Sequence, residues 1–188
     1  MDEPLTFASV DSFDAWLAEN HDRAAGAWLR VRRKNSTQPA ITAPEAGDVA
    51  LCYGWIDSIR RSLDQDFFLQ KYSPRRPGGS WSKVNVDRAD ALIAAGRMRP
   101  PGLAEIAAAK ADGRWDAAYA SQRDATMPDD LRAALATEPA AAAAFGRLGK
   151  TDQYLAYLPL LKARTAQSRA ALVRKLIGKL AGSGYDGG

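Results

Sequence analysis

Residues 54–85 read GWIDSIRRSLDQDFFLQKYSPRRPGGSWSKVN, and their reading decides the fold. Two runs rich in β-branched and aromatic residues, Trp55 to Leu63 and Phe67 to Ser73, flank Asp64-Gln65-Asp66, residues that favour a tight turn. The spacing predicts a hairpin. A Pro/Gly loop follows, Pro74-Arg75-Arg76-Pro77-Gly78-Gly79, whose glycines permit backbone angles closed to other residues. From Asn85 onward strand signals give way to helical ones, punctuated by Gly96, Pro100-Pro101, Gly113, Pro128, Pro139 and Gly149.

Upstream of the hairpin, Phe13, Trp16 and Leu17 recur at helical spacing and predict a helix over Ser12 to Asn20. Ala27 to Lys34 alternates, with Leu29 and Val31 on one side and Trp28, Arg30 and Arg32 on the other, as a half-buried strand does. Thr42 and Glu45 stand at capping-box spacing around Pro44 and open a second helix that ends near Gly54. Downstream, Ala133 to Ala144 is strong helix former, and Leu160 to Leu180 reads as one final helix. The expected fold class is α+β, a small antiparallel sheet with flanking helices in the N-terminal half followed by a helical C-terminal half. Residues 1–85 form the sheet-containing region and 86–188 the helical one, packed as one compact unit.

Composition narrows the classes. The chain has 188 residues, one Cys and one His, and a net charge of +4. A single Cys52 in an apolar helical pattern reads as core, and with only His21 beside it in the inventory a His/Cys zinc site or a Cys-His nucleophile pair is not expected. No apolar run of about 18 residues occurs, so no transmembrane segment is expected. The start, Met1-Asp2-Glu3-Pro4, is acidic where a secretory signal is basic, which points to the cytoplasm. Lys71, Arg75, Arg76 and Lys83 form an acid-free basic block, and Lys162, Arg164, Arg169, Arg174, Lys175 and Lys179 form a second between Asp152 and Asp186.

Chemistry-bearing residues concentrate in the quoted stretch. The candidate ligand-binding set is Trp55, Asp57, Arg75, Arg76, Ser80, Trp81, Ser82, Lys83 and Asn85. Backbone N–H groups of a glycine loop and guanidinium forks can converge on phosphate or carboxylate oxygens, with Trp55 and Trp81 framing the ligand. Strand alternation puts Asp57 on the face of Trp55 and Ile59; if that face is covered, Asp57 must be paired, with Arg75 or Arg76 the first partner to test.

An ordered series of motifs carries a resemblance: Leu51-Cys52-Tyr53-Gly54-Trp55-Ile56-Asp57, Tyr72-Ser73-Pro74-Arg75-Arg76, Ser80-Trp81-Ser82-Lys83-Val84-Asn85, Gly96-Arg97-Met98 and Lys110-Ala111-Asp112-Gly113-Arg114-Trp115. From about Phe13 to the last helix the chain resembles the YdeI/OmpD-associated family, whose members are often labelled bacteriocin-protection proteins. The resemblance implies a soluble bacterial protein tied to stress and to tolerance of antimicrobial peptides, an envelope-associated partner such as an outer-membrane porin, and no established catalytic residues. Near the end the chain departs from the family, with Tyr157-Leu158, Leu161-Lys162 and Ala166-Gln167 where other residues are usual, Arg169 matching, and Pro159 interrupting the helix.

Enzyme signals are weak. Ser80-Trp81-Ser82-Lys83 has Ser-x-x-Lys spacing without its companion motifs, and Gly149-Lys150-Thr151 ends like a P-loop but has Ala144 where the first glycine belongs. Asp57 as a base lacks a visible partner acid. The leading expectation is a non-enzymatic binding or stress-protection protein for a small anionic ligand, without a cofactor or metal. The alternatives are a hydrolase or transferase using Asp57, Ser80, Ser82 or Lys83, and a nucleic-acid-binding protein using both basic blocks.

Overall fold

The computed structural model describes residues 3–182. Met1 and Asp2 of the acidic start, and Asp186 at the limit of the second basic block, lie outside them. The chain divides into two units, one of residues up to Trp81 together with Asn85–Ala117, the other of Ser82–Val84 together with the chain from Ala118.

The first unit begins with α1 (Val10–Asn20), whose capping box is formed by Ser9 and Ser12. Phe13 and Leu17 face inward and are fully buried, and Trp16 joins Phe7, Phe13 and Trp55 in an aromatic cluster. Strand β1 (Ala27–Arg32) keeps the expected alternation, with Leu29 and Val31 buried and Arg30 exposed, and ends two residues before the predicted Lys34. Helix α2 (Ala43–Cys52) starts where the capping-box spacing places it: the Glu45 carboxylate accepts from the Thr42 amide and hydroxyl, both at 2.7 Å. Those bonds, the amide first, hold the Glu45 carboxyl below its usual range.

The predicted hairpin is β2 (Trp55–Ser62) and β3 (Phe67–Pro74), turned by Asp64, whose Oδ1 accepts from the amides of Asp66 and Phe67 at 2.9 and 2.8 Å. The antiparallel sheet has the order β1-β3-β2, so β3 is central and β2 an edge. Position decides burial: Phe68, Leu69, Gln70 and Tyr72 of β3 are buried, whereas β2 is exposed from Asp57 onward. Helices α3 (Lys83–Ala94) and α4 (Pro100–Ala111) follow.

The second unit holds α5 (Asp129–Thr137), α6 (Pro139–Arg147), α7 (Lys150–Leu161) and α8 (Ala166–Ala181). Leu131, Phe145, Tyr157, Leu160, Leu176 and Leu180 form its core. The α+β class is as the sequence predicts. The single final helix is not: the chain breaks after Leu161, two residues beyond Pro159, and restarts at Thr165, whose hydroxyl accepts from the Ser168 amide at 3.1 Å. A capping box there satisfies the first-turn donors of α8, which makes a new helix cheaper than a continuous one.

An ion pair ties α5 to α8, with Arg169 Nε and Nη2 donating to Asp130 Oδ2 and Oδ1 at 2.6 and 2.9 Å. The Arg169 bonds hold the Asp130 carboxyl below its usual range. A depressed folded-state pKa stabilises above the unfolded value, near about 3.9, and the contribution fades as pH falls through the lower folded value. Both side chains are more than a third exposed, 34% and 40%, so Asp130→Asn is expected to cost about 1 kcal/mol or less at pH 7. Urea titrations at descending pH check it: the gap should close in acid, and an undiminished gap would assign the loss to something other than charge.

Candidate functional site

The loop after the hairpin does not hold its predicted residues in one arrangement. Trp55 is 1% exposed, donates from Nε1 to the His21 carbonyl at 3.2 Å and meets Trp16 edge-on at 6.0 Å. Trp81 is equally buried but has other neighbours. Trp115 lies 4.8 Å away, and the Arg75 guanidinium covers the Trp81 ring at 3.7 Å. Its Nε1 is buried without a hydrogen-bond partner among the described residues. Gly78, with φ of 72°, and Gly79, whose amide reaches the Arg76 carbonyl at 2.9 Å, make the turn between them. Arg76 and Ser80 are exposed, Asn85 is half-buried, and Ser82 and Lys83 pair through their backbone with Tyr119.

Asp57 is exposed rather than covered. A register shift between Asp57 and Arg60 breaks the alternation on which a shared face with Ile59 depends. Opposite Asp57 in the register stands Tyr72, whose phenol is pushed well up by burial first and by the Asp57 charge second. Cys52 is buried as expected, and burial raises its thiol above the usual range, away from a reactive thiolate.

The more developed site is one the sequence reading passed over. Where α2 begins, at Thr42 and Pro44, the sheet leaves a groove of about 670 Å³ lined by Arg32, Arg33, Lys34, Arg60, Ser62 and Phe68. Arg32 donates to the carbonyls of Ala40 and Ser36 at 3.1 and 2.6 Å. Arg33 donates to the Asp64 carbonyl at 3.0 Å and to the Ser62 hydroxyl at 2.8 Å. Arg60 donates to Gln70 Oε1 at 2.9 Å. All these acceptors are neutral, so the guanidiniums are aimed without being neutralised. Among the described residues none of the four cations forms an ion pair. Arg60 and Arg33 stand 4.3 and 6.0 Å from the Phe68 ring centroid, and the first turn of α2 adds its positive dipole end. Glu45, the carboxylate that Arg32 influences, spends its bonds on Thr42.

Gln70 positions this set. It is 1% exposed, holds Arg60 through Oε1, and donates from Nε2 to the Ile59 carbonyl at 3.2 Å, inside the bulge. The signal for the groove was present in the sequence: Arg30 to Lys34 is as free of acids as the two blocks singled out. A second cavity, about 740 Å³ in the other unit, has Arg123 and Lys150 on its wall, but Arg123 is paired with Asp124 at 3.1 Å. Among the described residues no group of three or more His, Cys, Asp or Glu is placed to hold a metal, and no helix is long and apolar enough to cross a membrane.

A three-stranded α+β unit with a cationic groove, followed in the same chain by a four-helix unit, defines the class. The chain belongs to the family described as a domain of unknown function, DUF8412, whose model matches residues 5–105 and so takes in the sheet and the groove. Residues 124–182 match the family described as Bacteriocin-protection, YdeI or OmpD-Associated. That is the family the sequence resembles, though the matched segment is not the one that suggested it. The motifs from Leu51 to Trp115 lie outside it, and the departures at Tyr157, Leu161 and Ala166 lie inside. No curated protein and no solved structure matches the chain.

Proposed function

We propose that this chain is a non-enzymatic protection module that acts by binding an anionic group, and that the groove of the first unit is where the group is held. The observation that carries the reading is the groove's Arg32, Arg33 and Arg60, each aimed by neutral acceptors, with Lys34 and Phe68 also lining it and no carboxylate among the lining residues. Guanidinium forks left in that condition suit phosphate or carboxylate oxygens. The bacteriocin-protection match supports the protective role, with an envelope-associated component as the partner. Exposed Arg76 and Ser80, in the loop after the hairpin, form a second and less organised place for the same chemistry.

Thermal unfolding in the presence of phosphate, pyrophosphate and citrate tests the reading. Pyrophosphate well above its Kd is expected to raise the melting temperature by about 4 °C or more. The Arg33→Ala/Arg60→Ala variant should lose the shift and Arg76→Ala should keep it. No shift with any of the three anions, or a shift that survives the double substitution, overturns the groove assignment.

A further inference from the structure

We infer that the anion held in the groove is a nucleoside di- or triphosphate, its phosphates met by Arg33 and Lys34 and its base stacked on the Arg60 guanidinium, an inference that rests on the anion reading above. Directly opposed residues of an antiparallel pair share a face. Arg60 therefore shares a face with Gln70, and Ser62 with Phe68 and Val31, and this is the face on which Tyr72 meets Phe13 of α1 at 6.0 Å. Thr42, Ala43 and Pro44, where α2 begins, complete the lining. One volume of about 670 Å³ thus holds an apolar part, Phe68 with Ala43 and Pro44, beside a cationic part. Sites for drug-sized ligands run to roughly 300–1,000 Å³, far more than a bare phosphate group fills.

Charge and stacking narrow the ligand. Arg32, Arg33, Lys34 and Arg60 bring four formal positive charges with no carboxylate among the lining residues, which suits a diphosphate or triphosphate better than a monoester. Arg33 spends Nε and Nη2 on the Asp64 carbonyl and the Ser62 hydroxyl, and among the described residues its Nη1 is left for a phosphate oxygen. Arg60 is placed for something else. Its Nε donates to Gln70 Oε1 at 2.9 Å and its guanidinium lies over the Phe68 ring at 4.3 Å, so the plane is fixed while the residue stays exposed. Phe68 itself is buried, which makes the guanidinium the planar surface that a ligand reaches. Bases stack on such planes whatever their identity, since every base has a π-face. Protein sites hold Mg²⁺ through carboxylates as well as substrate phosphates, so this groove takes the nucleotide free of the metal. The ligand belongs to the first unit, whereas the bacteriocin-protection match lies in the second.

Isothermal titration calorimetry of the full chain with pyrophosphate and ADP, each in EDTA and again with excess Mg²⁺, tests the inference. The two ligands carry similar charge at neutral pH, so the comparison isolates the nucleoside. ADP is expected to bind about tenfold tighter than pyrophosphate, and UDP to show a similar advantage. Excess Mg²⁺ should weaken ADP binding by about threefold or more, because it competes for the phosphates. Arg60→Lys, at an exposed position, keeps the charge and removes the plane: it should erase the advantage of ADP while changing pyrophosphate binding by less than about threefold. Arg33→Ala should weaken both ligands alike, by about fivefold or more. ADP no tighter than pyrophosphate, or an advantage that survives Arg60→Lys, overturns the inference and leaves the anion reading standing. ADP binding that requires Mg²⁺ overturns it as well. Binding of neither ligand removes the anion reading and this inference together.

Discussion

Gly102→Ala is expected to destabilise the first unit by about 3 kcal/mol or more, although alanine is the better helix former by about 1 kcal/mol. Gly102 lies in the first turn of α4, buried against the end of α2. A Cβ built there collides with the Cys52 carbonyl oxygen and with Met98 Sδ. The thioether can swing aside. The carbonyl cannot, because it also accepts the Arg99 amide at 3.2 Å and belongs to the turn that carries the chain into β2. Gly54, two residues on, has φ of 71° and backs onto the Pro101 carbonyl, so the approach of the two segments is tight from both sides. All five tryptophans lie in the first unit, so their fluorescence in urea reports its unfolding. Gly178→Ala is the control, followed by far-UV circular dichroism because it lies in the second unit: it is exposed in α8 with nothing within 4 Å of an added Cβ, and should be neutral or stabilising, by up to about 1 kcal/mol. A Gly102→Ala protein as stable as the parent would mean that α4 slides to accommodate the methyl.

Gly102 was hidden in the sequence because it follows Pro100-Pro101, a cluster that reads as a breaker, whereas the prolines occupy the first turn of α4, where a missing N–H costs little. What could be read were features fixed by neighbours in the chain. The Thr42–Glu45 box, the Asp64 turn and the alternation of Leu29 and Val31 each depend on residues within a few positions. Long-range features were not legible. Arg33 and Arg60 meet around Phe68 only because β1 and β2 flank the same central strand. Local pattern puts Asp57 in the wrong surroundings for the same reason: a bulge held by Gln70 changes which side chains share a face, and nothing in the alternation announces it. The loop from Pro74 to Trp81 drew notice for its arginines and tryptophans, yet Trp81 and Arg75 are spent on each other.

Arg114 gives that loop a different task. Its side chain is 4% exposed and donates to Glu105 Oε1 at 2.8 Å, to Asp112 Oδ2 at 2.7 Å and to the Gly79 carbonyl at 3.1 Å, fastening the loop to α4 and the turn after it. Removing one member of a buried pair strands the others, so Arg114→Ala is expected to cost about 3 kcal/mol, the lower end of such losses because Asp112 is 41% exposed and keeps water. Arg114→Lys should recover less than half of it, since an ammonium cannot replace a fork that reaches two carboxylates and a carbonyl at once. If stranding Glu105 is a large part of the loss, Arg114→Ala/Glu105→Ala will cost clearly less than the two single changes summed. Strict additivity would place the loss in the Asp112 and Gly79 contacts instead. Arg76→Ala, exposed on the same loop, should stay within about 0.5 kcal/mol of the parent. Urea titrations followed by tryptophan fluorescence separate these cases, and a full recovery by lysine would mean that the site needs only a positive charge. A large loss at Arg114 beside none at Arg76 makes the loop the joint that holds Trp81 against Trp115.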